Sequence, residues 1–211
     1  GVEEEVLSPL HQALVEVHRL IEPALRLERP GRLVCRESPL SELLAELAVH
    51  RLDLVIADRP IPPEVSVRGH EHLLGESTLS VFAAPALAGR LQGDFPRLLD
   101  GAPFLLPGED VAHRGALLQW FERMRIRPAI VAEFDDSALM KAFGQAGDGV
   151  FAAPTTIADY VCRQYGVRLL GEVPDARARI YAITTERRLS HPAMQAIRNA
   201  ASRALTPAPR A

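Results

Sequence analysis

Ala132-Glu133-Phe134-Asp135-Asp136-Ser137-Ala138-Leu139-Met140-Lys141-Ala142-Phe143-Gly144 decides how the rest of the chain is read. An apolar strand from Ile130 to Phe134 runs into two carboxylates and a serine, and a helix carrying Leu139, Met140 and Phe143 on one face follows. A strand that stops at a polar helix start is where open α/β sheets hold ligands. A second such junction lies earlier, where Leu52-Asp53-Leu54-Val55-Ile56-Ala57 ends at Asp58-Arg59-Pro60. Two junctions of this type in two halves of one chain imply a ligand cleft between lobes.

Outward from these points, strand and helix patterns alternate. Leu10, Leu14, Val17 and Ile21 recur at helical spacing, so a helix is expected from Leu7 to Ile21, opened by Ser8-Pro9. Leu33-Val34-Cys35 reads as a strand, and Ser38-Pro39 opens a helix whose apolar face is Leu40, Leu43, Leu44 and Leu47. Leu54 to Ala57 is a continuous apolar run, the pattern of a strand covered on both faces. Pro60 to Pro63 is a stiff loop. Strands are expected at Val65 to Leu74, Thr78 to Ala83, Phe104 to Leu106, Pro128 to Phe134, Val150 to Ala153, Val167 to Leu170 and Ile180 to Thr184. Helices are expected around Leu117 to Met124, Asp136 to Gln145, Thr155 to Tyr165 and His191 to Leu205, the last with Met194, Ile197 and Ala201 inward. This alternation predicts an α/β fold of parallel sheets with helices on their faces, arranged as two lobes. Residues 1–82 with 184–211 would form one lobe and 83–183 the other, with crossings near Thr78 to Ala84 and Arg179 to Thr185 as the hinge.

Composition narrows the function classes. The 211 residues are 47% hydrophobic and 24% charged, ordinary for a globular chain, with a formal charge of -3. No apolar run reaches the ~18 residues of a membrane span, and no signal segment opens the sequence. Lys141 is the only lysine and no dense basic block occurs, so nucleic acid is not expected to be gripped by this segment itself. Cys35 and Cys162 are too few and too far apart for a zinc site or a disulfide framework, which fits a reducing cytoplasm. No Gly-x-Ser-x-Gly elbow, His-Glu-x-x-His or Gly-Lys-Ser/Thr loop is present, so no catalytic set and no cofactor is expected.

The phrase Leu52-Asp53-Leu54-Val55-Ile56-Ala57, followed much later by Gly147-Asp148-Gly149-Val150-Phe151-Ala152-Ala153-Pro154, resembles the effector-binding domain of LysR-type transcriptional regulators. Glu133 to Gly144 with Phe151 to Thr155 is similar to the branch of that family that activates sodium/proton antiporter genes. The resemblance runs from about Leu33 to Ala200. It implies two Rossmann-like subdomains joined by a hinge of two crossing strands, a type 2 periplasmic-binding-protein-like fold, with an effector site in the cleft between them. It also implies a winged helix-turn-helix and linker helix ahead of Gly1, and a first strand ending near Gly1-Val2. The expected partners are a small-molecule or monovalent-cation effector, a second copy in a dimer or tetramer, promoter DNA through the preceding domain, and RNA polymerase.

On that basis the candidate effector residues are Glu5, Ser8, Glu37, Ser38, Asp58, Arg59, Asp135, Asp136, Pro154 and Thr155, with Glu3, Glu4, Ser41, Ser137 and Thr156 beside them. Each has a plainer reading, because Ser and Asp at helix starts accept orphan amide hydrogens. The set is rich in carboxylates, with Arg59 its one cation, which suits a hard cation or a pH response. Leu10, Leu14 and Val17 of the first helix, with Leu117 and Trp120, are the candidate dimer interface. His70-x-His72 places two rings on one strand face with no third ligand nearby. Arg123, Arg125 and Arg127 read as a solvated edge, and Gly144, Gly147 and Gly149 as helix-stop chemistry. A bilobal solute-binding receptor and a small-acid enzyme share this architecture and stay open as rivals.

Overall fold

The computed structural model describes residues 3–7, 21–26, 32–185 and 192–204. Two compact units divide the chain, 1–76 with 179–211 and 77–178. Two long strands, β4 (His70–Ala83) and β8 (Arg168–Thr184), carry the backbone from one unit into the other. The sequence division at 82/83 and 183/184 lies within the same two strands.

In the first unit, β1 (Glu3–Leu7) pairs in parallel with β2 (Arg32–Arg36) and with β3 (Leu54–Ala57). Antiparallel β8 closes on β3, with Ala57 opposite Tyr181. The alternation along β3 shows why its four residues are all apolar. Leu54 and Ile56 join a core with Met194, Ile197 and Ala201 of the terminal helix. Val55 and Ala57 join a second core with Leu43, Leu44 and Leu47 of α1 (Leu40–Ala48). The sheet is covered on both faces, as the unbroken run requires.

The second unit repeats this construction. Strands β5 (Pro103–Pro107) and β6 (Ala129–Phe134) are parallel, and a bridge from Phe104 to Val150 aligns β7 (Phe151–Pro154) with them. β4 runs antiparallel to β7, with Leu79 opposite Pro154. A short turn of helix, α2 (Pro85–Ala88), follows β4. One sheet face packs Phe104, Leu106 and Ala152 on α3 (Arg114–Met124) through Leu117, Trp120 and Phe121. The other packs Leu105, Phe151 and Ala153 beneath α4 (Ser137–Ala146) and α5 (Ala158–Tyr165). The chain ends on α6 (Pro192–Ala204).

Several expectations change. Leu7 is in a strand, the first strand runs over Glu3–Leu7 and does not end near Gly1-Val2, and the expected helix beyond it lies outside the described residues up to 21–25, which are helical. Val65 to Gly69 is loop, while His70–Ala83 is one continuous strand. Val167 to Leu170 and Ile180 to Thr184 likewise belong to one strand that passes through Gly171 and Pro174. Those residues weaken a strand in isolation, yet the strand continues through half-buried Gly171 and exposed Pro174, anchored by buried Val173 and Ala176. Gly171 is required by packing, because a Cβ there would lie 2.4 Å from the Phe95 ring.

Candidate functional site

Parallel strands put their carboxyl ends at one pole of a sheet. In the second unit those ends are Pro107-Gly108, Phe134-Asp135 and Pro154-Thr155. Asp136 is the N-cap of α4, its Oδ1 accepting from the amides of Ala138 at 2.7 Å and Leu139 at 3.2 Å. Asp135 lies over Gly108, whose amide donates to the Phe134 carbonyl at 2.7 Å. A Cβ on Gly108 would sit 1.8 Å from Asp135 Oδ1, so a side chain there would push the exposed carboxylate aside. Burial raises the Tyr165 phenol above its ordinary range, and neighbouring Tyr160 and the Asp136 carboxylate add to the shift.

Thr155 is the centre of a hydroxyl chain that sequence reasoning only half located. Its Oγ1 is 2.8 Å from Thr78 Oγ1 and 2.8 Å from Ser80 Oγ. Thr78 Oγ1 in turn donates to Glu172 Oε1 at 2.7 Å. A hydroxyl has one proton, and an ionised carboxylate only accepts. Thr78 gives its proton to Glu172, so Thr155 must donate to Thr78 and Ser80 to Thr155. The chain therefore has one direction, from fully buried Ser80 to the Glu172 carboxylate. Ser77 sits beside it, accepting from the Thr156 amide at 3.2 Å and donating to the Thr78 carbonyl. Ser77, Thr78, Ser80 and Glu172 were not among the sequence candidates. They come from strand interiors on separate segments, where no motif or spacing marks them.

The first unit has its own carboxyl-end pole, where β2 leads into Glu37 and Ser38 and β3 into Asp58 and Arg59. Glu37 is exposed and Ser38 half-buried. Arg59 Nε donates to Asp58 Oδ1 at 3.0 Å, so the one cation of the candidate set is neutralised by its neighbour. Glu5 is inside β1, with its backbone opposite Val34, and not at the strand end that site membership assumed. Ser8, together with Leu10, Leu14 and Val17, lies outside the described residues.

Helix α4 is turned differently from the sequence expectation. Met140 is buried, but Leu139 and Phe143 are 50% and 40% exposed, so the three do not share the inner face. Ser137, Lys141 and Gly144 are inward instead, and Lys141 Nζ donates to Ser137 Oγ at 3.0 Å. Phe143 packs on Phe134 of β6, and Ile130 and Val131 of that strand are exposed as well. Leu117 and Trp120, expected at a dimer interface, are 0% and 2% exposed in the core of the second unit and have no surface to offer a partner. Among the described residues no group of three metal-ligating side chains occurs, and no helix is long and apolar enough to cross a membrane.

Comparison with known proteins agrees with this architecture. The model of the LysR substrate binding domain matches residues 23–206. The transcriptional activator protein NhaR of Escherichia coli (strain K12) is 34% identical over 170 residues, covering 81% of this chain and 56% of that protein. The chain thus spans little more than half of that relative. CbnR, a LysR family transcriptional regulator, superposes with a TM-score of 0.72 at 14% identity, over 94% of this chain and 68% of CbnR. The effector-binding domain of QuiR in complex with shikimate gives 0.68 at 16% identity, over 97% of each chain. At such identities these structures show the fold, that of the type 2 periplasmic binding proteins. With two doubly wound units joined by two strands and a family match over most of its length, this chain belongs to the LysR family as its substrate-binding, or regulatory, domain.

Proposed function

We propose that this domain is the effector sensor of a cytoplasmic LysR-type transcriptional activator, and that it binds its effector without transforming it. The observation that carries the reading is the directed Ser80–Thr155–Thr78–Glu172 chain at the carboxyl-end pole of the second unit. All three hydroxyl protons are committed internally, so what the chain offers a ligand is oxygen lone pairs. Asp135, Asp136 and Glu172 add negative charge. The features that would attract an anion are already engaged, because Asp136 caps α4 and Lys141 is bonded to Ser137. An oxygen-rich pole of this kind suits a monovalent cation, or a small molecule that presents hydrogen-bond donors. Pro154 and Thr155 would contact it directly. A bound effector regulates only through different affinities for two arrangements of the protein. Promoter DNA and RNA polymerase are the proposed downstream partners, reached through a separate DNA-binding domain.

Self-association is assigned to the exposed apolar side chains Leu139 and Phe143 on the outer face of α4, since apolar side chains left at a surface mark an interaction face. Phe143→Glu should shift the sedimentation profile toward monomer, and an unchanged profile removes that assignment.

Thermal melting in sodium, lithium and choline chloride at matched ionic strength tests the ligand class, with shikimate as an organic-acid control. Sodium or lithium should raise the midpoint above choline, by about 2.7 kcal/mol of stability at a hundred times Kd. Thr155→Val and Asp135→Ala should abolish that increment. A flat response to the cations alongside tight shikimate binding refutes the cation reading.

A further inference from the structure

We infer that the second unit carries another small-molecule site, at the opposite pole from Thr155, which takes an amphipathic organic anion. An open groove of about 510 Å³ lies at the amino end of β5, within the size range of ligand pockets. Its apolar lining is Leu87, Leu91, Leu98 and Ala102, and its polar rim includes Arg90 and Asp100. Leu87 and Ala102 are nearly fully buried and make the floor. Because β5 runs from Pro103 at this groove to Pro107 at the carboxyl-end pole, the full length of the strand separates the two places.

The charge of the rim sets the ligand class. Asp100 Oδ1 accepts from the Arg127 amide at 2.8 Å, which fixes this carboxylate at the rim without cancelling its charge. The exposed Arg90 guanidinium engages no described residue. Further positive charge adjoins the groove-lining segment. The Gly101 amide donates to the Arg127 carbonyl at 2.9 Å, and Arg97 Nη1 to the Arg125 carbonyl at 3.3 Å. Arg97, Arg125 and Arg127 are all exposed. An apolar trough beside an unengaged guanidinium complements a ligand with an apolar body and a carboxylate or sulfonate head. The site is independent of the effector reading.

The probe is 8-anilinonaphthalene-1-sulfonate, titrated by fluorescence into the folded domain, with uncharged N-phenyl-1-naphthylamine as the matched control. Saturable one-site binding of the sulfonate is expected, with the uncharged dye weaker. Arg90→Glu should weaken the sulfonate at least about ten-fold, a decade being ~1.4 kcal/mol, while Arg90→Lys keeps part of the affinity and Thr155→Val all of it. Leu98→Gln tests the apolar wall separately, and circular dichroism melts confirm that each variant is folded. Absence of saturable binding overturns the inference. So does an Arg90→Glu variant that binds like wild type, or a Thr155→Val variant that loses binding.

Discussion

Thr155→Val removes the middle oxygen of the hydroxyl chain while keeping the side-chain volume. The consequence follows from the direction of the protons. Ser80 is fully buried and donates to Thr155, so the substitution leaves a buried donor without its acceptor. Such a loss costs roughly 1–3 kcal/mol. Thr78 is less affected, since it still donates to Glu172. For a chain of this size, ~2 kcal/mol lowers the thermal midpoint by about 4–8 °C. Ser80→Ala should cost less, because Thr155 then keeps its own acceptor and loses only an incoming proton. The double variant should be no less stable than Thr155→Val, since it contains no orphaned buried donor, giving a coupling energy on the order of 1 kcal/mol. Urea denaturation measures all three, with an unchanged m value as the check that native and unfolded states are comparable. Single costs under about 0.5 kcal/mol that simply add would show that the directed chain is not formed.

Three other sites give sharp expectations. Gly144→Ala places a methyl 2.3 Å from the fully buried Phe151 ring. It should lose roughly 1–3 kcal/mol of stability despite alanine's better helix propensity, and be partly rescued by Phe151→Leu in denaturant titrations. Asp136→Ala should destabilise by about 1 kcal/mol through loss of the α4 cap, whereas Asp136→Asn should be near wild type by the same measurement. The Tyr165 phenol is raised by burial, with Tyr160 and Asp136 adding to it, so the folded state holds that proton more tightly than the unfolded chain. Its contribution is complete below about pH 10, the unfolded value, and is lost as pH rises toward the raised folded value. Tyr165→Phe should flatten the alkaline limb of the stability curve and leave stability between pH 6 and 9 unchanged.

Much of the scaffold was legible without coordinates. Leu54 to Ala57 had to be a strand covered on both faces, because four consecutive apolar residues leave no polar side for water. Asp136 was readable as a cap, and Gly147 as a helix stop, since only a residue tolerant of positive φ closes a helix in the left-handed region, where it has φ 87°. The alternation of strand and helix patterns identified the doubly wound architecture, and the Leu-Asp-Leu-Val-Ile and Gly-Val-Phe-Ala-Ala-Pro phrases pointed to the family. These are local properties, set by φ/ψ preference and by the period of apolar residues.

Other features required the assembled sheet. Helical periodicity offered two faces of α4, and the one with Leu139 and Phe143 is the more apolar. Gly144 reverses the choice, because its missing Cβ lets the helix settle onto Phe151 and carries Ser137 and Lys141 inward with it. Gly171 and Pro174, which weaken a strand locally, sit inside β8, where Val173 and Ala176 are buried in the core and Phe95 fills the space beside Gly171. Thr78, Ser80, Thr155 and Glu172 are ordinary residues until β4, β7 and β8 converge, and their separations of 75 to 94 positions leave no spacing for a sequence to display. Local sequence set which elements form and where they stop; which side chains meet was decided by packing, since contact between distant segments depends on how strands and helices stack.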